Sequence, residues 1–114
     1  LGDSVTFSGF VNPIEAMGRS DMIVQLSVWE NCSYTLLDAK AAGLKTVATA
    51  VGGNPEILGA DELVDRQSAT LTQDVLQAMR AQLQKGEAEP FTWISNEQMA
   101  AQTVDIYTRT LEKK

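Results

Sequence analysis

Residues Ser27 to Glu56 run SVWENCSYTLLDAKAAGLKTVATAVGGNPE, and the architecture of the chain follows from them. An apolar run, Met22 to Leu26, stops at Ser27. A short polar turn comes next, then a helical pattern, a second apolar run, and the pair Gly52-Gly53. Strand, loop, helix, strand, loop is one βαβ unit. The run Met22–Leu26 is nearly all apolar, the pattern of a parallel strand covered on both faces. In open parallel sheets, ligands bind in the crevice outside the carboxyl ends of the strands. The polar residues of the two loops are therefore the first candidates for function.

Working outward, Asn31 or Ser33 caps a helix over Tyr34 to Ala42. Gly43 follows, at the position where helices favour a left-handed residue. Lys45 to Val51 is the next strand. Asn54-Pro55 reads as the cap and first residue of a single helical turn, and Glu62 to Val64 as a short strand. Upstream, Val5 to Gly9 reads as a β run. Asn12, Pro13 and Glu15 then suit the cap, first and third positions of a brief helix ending near Ser20, with a capping box between Asn12 and Glu15. Downstream, Leu71, Val75, Ala78, Met79 and Leu83 form one apolar stripe that Gly86 ends. Pro90 to Trp93 is an irregular link. Ser95 and Gln98 make another capping box, and Met99, Thr103, Ile106, Tyr107 and Leu111 form the stripe of the last helix. The order β-α-β-α-β-β-α-α gives an α/β class, Rossmann-like, with a mainly parallel sheet flanked by helices.

Composition narrows the function. The 114 residues carry a net charge of −6 with no basic cluster, which argues against nucleic acid or an anionic membrane as partner. With no histidine and one cysteine, Cys32, the chain by itself supports neither a histidine-based triad nor a zinc ribbon. No apolar run reaches the roughly 18 residues of a membrane helix, and no leader pattern opens the chain. Cytoplasmic is the expectation.

Glu30 and Asp38 are the leading candidates. Glu30 lies in the loop before the helix and Asp38 in its second turn, so both can face one crevice. Two ionised carboxylates there suit hydrogen bonds to sugar or ribose hydroxyls. The plainer alternative is a solvated loop acid near a positive helix end and an exposed helix acid. The helix start at Ser33, Tyr34 and Thr35 offers free amides to a phosphate, as every helix start does. Gly52-Gly53 either admits a close backbone approach to a ligand or makes a turn. Neither GxGxxG after a strand nor GxxxxGK[ST] is present. Cys32 lacks a histidine to activate it and reads as structural or incidental. Trp29 and Trp93 read as packing residues.

The segment from Ser27 to Leu58 resembles the donor-binding half of retaining GT-B glycosyltransferases of the "group 1" type. That family carries a Glu-x7-Glu motif between a strand ending in Ser and a helix reading EAMAxGxPVVAT, followed by xVGGxxE. Glu30 matches the first Glu. Asp38 stands at the second, one methylene short. Lys40 replaces the usual Met and Lys45 the usual Pro. Val5 to Val11 matches the family's VxFxGxV strand, and the helix from Ser95 to Tyr107 its closing helix.

The resemblance implies roles by position. Glu30 would contact the transferred sugar of a nucleotide-sugar donor, and Asp38 would hold the ribose hydroxyls. The amides of Ser33, Tyr34 and Thr35 would touch the diphosphate. Phe10 and Val11 would lie near the base, and Gly52 and Gly53 would shape the pocket wall. Hexose transfer to a glycan or lipid acceptor, as in polysaccharide biosynthesis, would retain anomeric configuration and need neither metal nor other cofactor in the chemical step. The family strand order, 3-2-1-4-5-6, would keep Val5–Gly9 from neighbouring Met22–Leu26. It implies that residues 1–114 are the C-terminal part of the nucleotide-sugar-binding domain of a larger two-domain enzyme. The first strands, an Arg/Lys phosphate clamp and the acceptor domain would then lie upstream, along with any peripheral membrane association, and the piece alone would be inactive. An inactive GT-B relative serving as an interaction or scaffolding module, and an unrelated flavodoxin-like binding domain, are the other readings.

Overall fold

The computed structural model describes residues 2–114. Three strands form one parallel sheet in the order β1-β2-β3: β1 Met22–Gln25, β2 Lys45–Thr49 and β3 Leu63–Val64. Val24 pairs with Val47, and Ala48 with Leu63. This is the expected Rossmann-like arrangement, with helices on both faces.

Side chains alternate across β2 and so supply two cores. On one face Ala48 packs with Leu36, Ile57 and Leu58. Those residues come from α2 (Tyr34–Ala41) and from the single turn α3 (Asn54–Ile57) with its following residue. On the other face Val47 and Val64 pack against Val75 of α4 (Leu71–Gln84), with Leu71, Ala78 and Met79 beside them. Leu36, Val47 and Ala48 are fully buried, so the middle strand carries the core.

Local signals explain the ends of α2. Ser33 is the cap, its Oγ accepting from the Leu36 amide at 3.2 Å. At the other end the Gly43 amide donates to the Lys40 carbonyl and the Leu44 amide to the Ala39 carbonyl, with Gly43 at φ 75°. That is the six-to-one and five-to-two closure for which glycine is favoured.

Several expectations fail: Asn54 is the first residue of its helical turn and Gly53 its cap, Glu62 precedes the strand Leu63–Val64, and others fail for a plain physical reason. Val5–Gly9 forms no strand. It has no neighbour to pair with, and Phe7 and Phe10 are fully solvent-exposed. The second run is strand only over Met22–Gln25, at the sheet edge: Ile23 packs on the α2-side core and Met22 on the α4-side core, but cover ends there and Val24 and Leu26 are exposed. Asn12 caps α1 (Pro13–Gly18) by accepting from the Ile14 and Glu15 amides, but Glu15 does not reach back to complete the box. In α4 the inward position after Met79 belongs to Gln82, not Leu83: Gln82 donates to the Asp61 carbonyl at 3.0 Å while Leu83 is exposed.

The last helix, α5 (Asn96–Glu112), begins with the predicted Ser95–Gln98 capping box. None of its residues is buried. The radius of gyration, 17.4 Å, exceeds the roughly 13 Å of a close-packed chain of this length. The long axis reaches 63 Å.

Candidate functional site

The loops after β1 and β2 meet backbone to backbone. The Gly53 amide donates to the Glu30 carbonyl at 3.0 Å. Gly52 has φ 51°, and a Cβ built on it would overlap the Glu30 carbonyl oxygen. A Cβ on Gly53 would overlap the Asn31 carbonyl. The turn reading of this glycine pair holds, and what the missing side chains admit is the chain's own backbone. L side chains disfavour the left-handed region, so Gly52 is doubly constrained.

The same contact fixes the main chain of Glu30. Its carboxylate Oε1 accepts from the Ser27 hydroxyl at 2.7 Å, and the residue is half-buried. Ser27 is held in turn: its carbonyl accepts from Thr49 Oγ1 at 2.7 Å, and Thr49 is buried at the end of β2. The Thr49 carbonyl accepts from Asn54 Nδ2 at 2.9 Å. Asn54 also reaches Gln25 Oε1 at 3.4 Å, and Gln25 Nε2 donates to Ser33 Oγ at 2.9 Å. Asn54 is fully buried, and its Oδ1 has no partner among the described residues.

The structure therefore brings Glu30, Ser33, Gly52 and Gly53 together at the carboxyl edge of the sheet. Asp38 lies on the outer face of α2, exposed, with no ion pair or side-chain hydrogen bond among the described residues. The amides of Ser33, Tyr34 and Thr35 donate to no acceptor among the described residues and open the N-terminus of an eight-residue helix. Phe10 and Val11 belong to the exposed segment before α1 and pack in neither core. Trp29 is exposed and donates to Asn31 Oδ1 at 3.0 Å, so it is not the packing residue expected. Trp93 stacks on Phe91 at 6.2 Å between ring centres, and Phe91 packs against the α2-side core. Cys32 is exposed.

A hollow of about 550 Å³ opens at the other end of the sheet, beside Lys40, Lys45, Glu62 and Gln82. Its wall holds a centre that sequence inspection missed. Glu62 Oε1 accepts from Lys40 Nζ at 2.8 Å and from Thr46 Oγ1 at 2.6 Å, and Oε2 accepts from the Gly59 amide at 2.9 Å. Burial by itself pushes the Glu62 carboxyl up. The hydrogen bonds from Lys40, Thr46 and Gly59, with the charge of Lys40, outweigh it and hold the carboxyl below its ordinary value. Lys45 donates to the Gly86 carbonyl, and Lys85 pairs with Asp61 on the same wall. Each lysine lining the hollow has an acceptor of its own.

A family model described as "Glycosyl transferases group 1" matches residues 1–85. The chain belongs to that family. The match spans the three-stranded sheet, α2 and the Gly52-Gly53 loop, and it extends to Lys85, one residue past the end of α4. Membership in the glycosyl transferases of group 1 carries the class of chemistry, transfer of a sugar from a donor to an acceptor. No curated protein and no solved structure matches the chain. Among the described residues no helix is long and apolar enough to cross a membrane, and no cluster of three or more His, Cys, Asp or Glu could hold a metal.

Proposed function

We propose that residues 1–114 form the C-terminal part of the nucleotide-sugar-binding domain of a retaining glycosyltransferase. The observation that carries the reading is the meeting of the two carboxyl-end loops, with Glu30 clasped beside the open amides of α2. In this reading the α2 N-terminus takes the donor diphosphate through the amides of Ser33, Tyr34 and Thr35, where the helix dipole favours negative charge. Glu30 hydrogen-bonds the hydroxyls of the transferred hexose. Asp38, its carboxylate unengaged, takes the ribose hydroxyls, each carboxylate oxygen able to accept more than one bond. Phe10 and Val11 lie near the base once the segment that carries them is covered. The hydroxyl of the acceptor, a glycan or lipid held by residues outside this chain, attacks the anomeric carbon on the face from which the nucleoside diphosphate departs, the bond from that carbon to the diphosphate oxygen breaking as the new glycosidic bond forms and the hydroxyl proton passing to the departing diphosphate. No metal is required for the step.

The test is calorimetric titration of UDP, GDP and ADP, in turn, into the full-length protein and its Asp38→Ala variant. Micromolar binding of one of the three that is lost in the variant is the expected outcome. No binding by the wild-type protein would favour the second reading, an inactive relative acting as an interaction module, for which the exposed apolar stripe of α5 is the supporting observation.

A further inference from the structure

Thr49 is the branch point of a hydrogen-bond network that reaches both halves of the proposed donor site. Its hydroxyl donates to the Ser27 carbonyl, and the Ser27 hydroxyl donates to Glu30 Oε1. Its carbonyl accepts from Asn54, which contacts Gln25, which donates to the cap Ser33. One branch ends on the carboxylate proposed to hold the sugar, the other on the residue that sets the start of α2. The first branch grips a side chain that sits on a loop with no regular structure. Without it, among the described residues only the Gly53 amide bond to its carbonyl anchors Glu30. The second branch includes a fully buried Asn54 with an orphan acceptor, a costly choice that an apolar residue would avoid. Gln25 is the one polar side chain in the run Met22–Leu26. Polar groups that break the local packing rule concentrate where position matters more than stability.

We infer that Ser27 is a positioning residue for the Glu30 carboxylate, and Gln25 with Asn54 for the diphosphate-binding end of α2, the two sets sharing Thr49 as their common anchor. The inference rests on the donor-site reading above. The Ser27 hydroxyl orients Glu30 toward the sugar and touches no substrate itself. A carboxylate freed to rotate loses its alignment, and misplacement by about 1 Å can cost on the order of a hundredfold in rate.

The two branches separate in one experiment on the full-length protein. Donor turnover is assayed with UDP-glucose, GDP-mannose and ADP-glucose, and affinity with the matching nucleoside diphosphates, for wild type, Ser27→Ala, Ser27→Thr and Gln25→Leu. The expected results for Ser27→Ala are a kcat lower by roughly tenfold or more, diphosphate Kd within about twofold of wild type, and an unchanged Tm. Ser27→Thr, which keeps the hydroxyl, restores kcat. Gln25→Leu raises the diphosphate Kd by roughly fivefold or more. Unaltered kcat in Ser27→Ala overturns the inference, as does a parallel loss of kcat, affinity and Tm, which marks a merely structural bond. A wild-type protein that binds no nucleoside diphosphate and turns over no donor overturns the donor-site reading and this inference with it, an outcome distinct from an active wild type with an indifferent Ser27→Ala.

Discussion

The loops joining β1 to α2 and β2 to α3 differ from the two flanking segments, Val5–Ile14 and α5, in what their main chain and polar side chains meet, although Val28 and Trp29 of the first are as exposed as the apolar residues of the second. Both regions hold aromatic and aliphatic residues. In the first, main chain meets main chain through Gly52 and Gly53, and Thr49, Ser33 and Asn54 are buried. In the second, Phe7, Phe10, Ile14, Ile106 and Tyr107 all face solvent. Hydrophobic pattern alone thus does not decide burial. A helix or strand is buried only when a complementary face is available, and α5, though capped and amphipathic, meets none here.

The sharpest way to break this contrast is Gly52→Ala. The new methyl meets a carbonyl oxygen that cannot step aside, and the left-handed backbone adds about 1–2 kcal/mol of its own. A loss of about 3 kcal/mol or more is expected in denaturant unfolding. A loss under 1 kcal/mol would mean that the two loops are not clasped.

A medium effect is expected at the opposite end of the sheet. Glu62→Ala strands Lys40, whose side chain is 20% exposed, and leaves the Thr46 hydroxyl and the Gly59 amide unanswered. The cost is about 2 kcal/mol or more. The pH dependence follows in sign. The folded-state pKa of Glu62 lies below its ordinary value of 4.5, so its contribution is complete above that value and is lost as pH falls through the folded pKa. Unfolding midpoints measured from pH 6 downward should therefore decline more steeply in wild type than in Glu62→Ala. Parallel curves would count against the network. The smallest effects belong to the periphery. Phe7→Ala and Tyr107→Ala should each shift unfolding by less than about 0.5 kcal/mol, and a larger shift in either would reveal packing that the exposures exclude.

The βαβ unit was legible because three local signals agreed: the apolar runs, the Ser33 cap and the Gly43 terminator. The Ser95–Gln98 box was legible for the same reason. Legibility ended where the outcome depended on a neighbour. Val5–Gly9 has the composition of a strand but no strand beside it, and Met22–Leu26 reads as covered along its length on both faces, yet at the sheet edge that cover ends with Met22 and Ile23. The candidate site divides similarly. Glu30 and Ser33 meet because a single loop joins them. That Ser27 would grip Glu30, or that Thr49 would link both loops, is a long-range fact with no periodicity to announce it. Glu62 was read only as the start of a strand, since nothing local reveals that Lys40, twenty-two residues earlier, reaches it.

The clasp at Gly52 also bears on engineering. Because its partner is a peptide carbonyl, no choice of side chain on the neighbouring loop can make room for a bulkier residue. Anyone replacing the segment after β1 must transplant the segment after β2 alongside it, as one cassette, or the seam between them will not close.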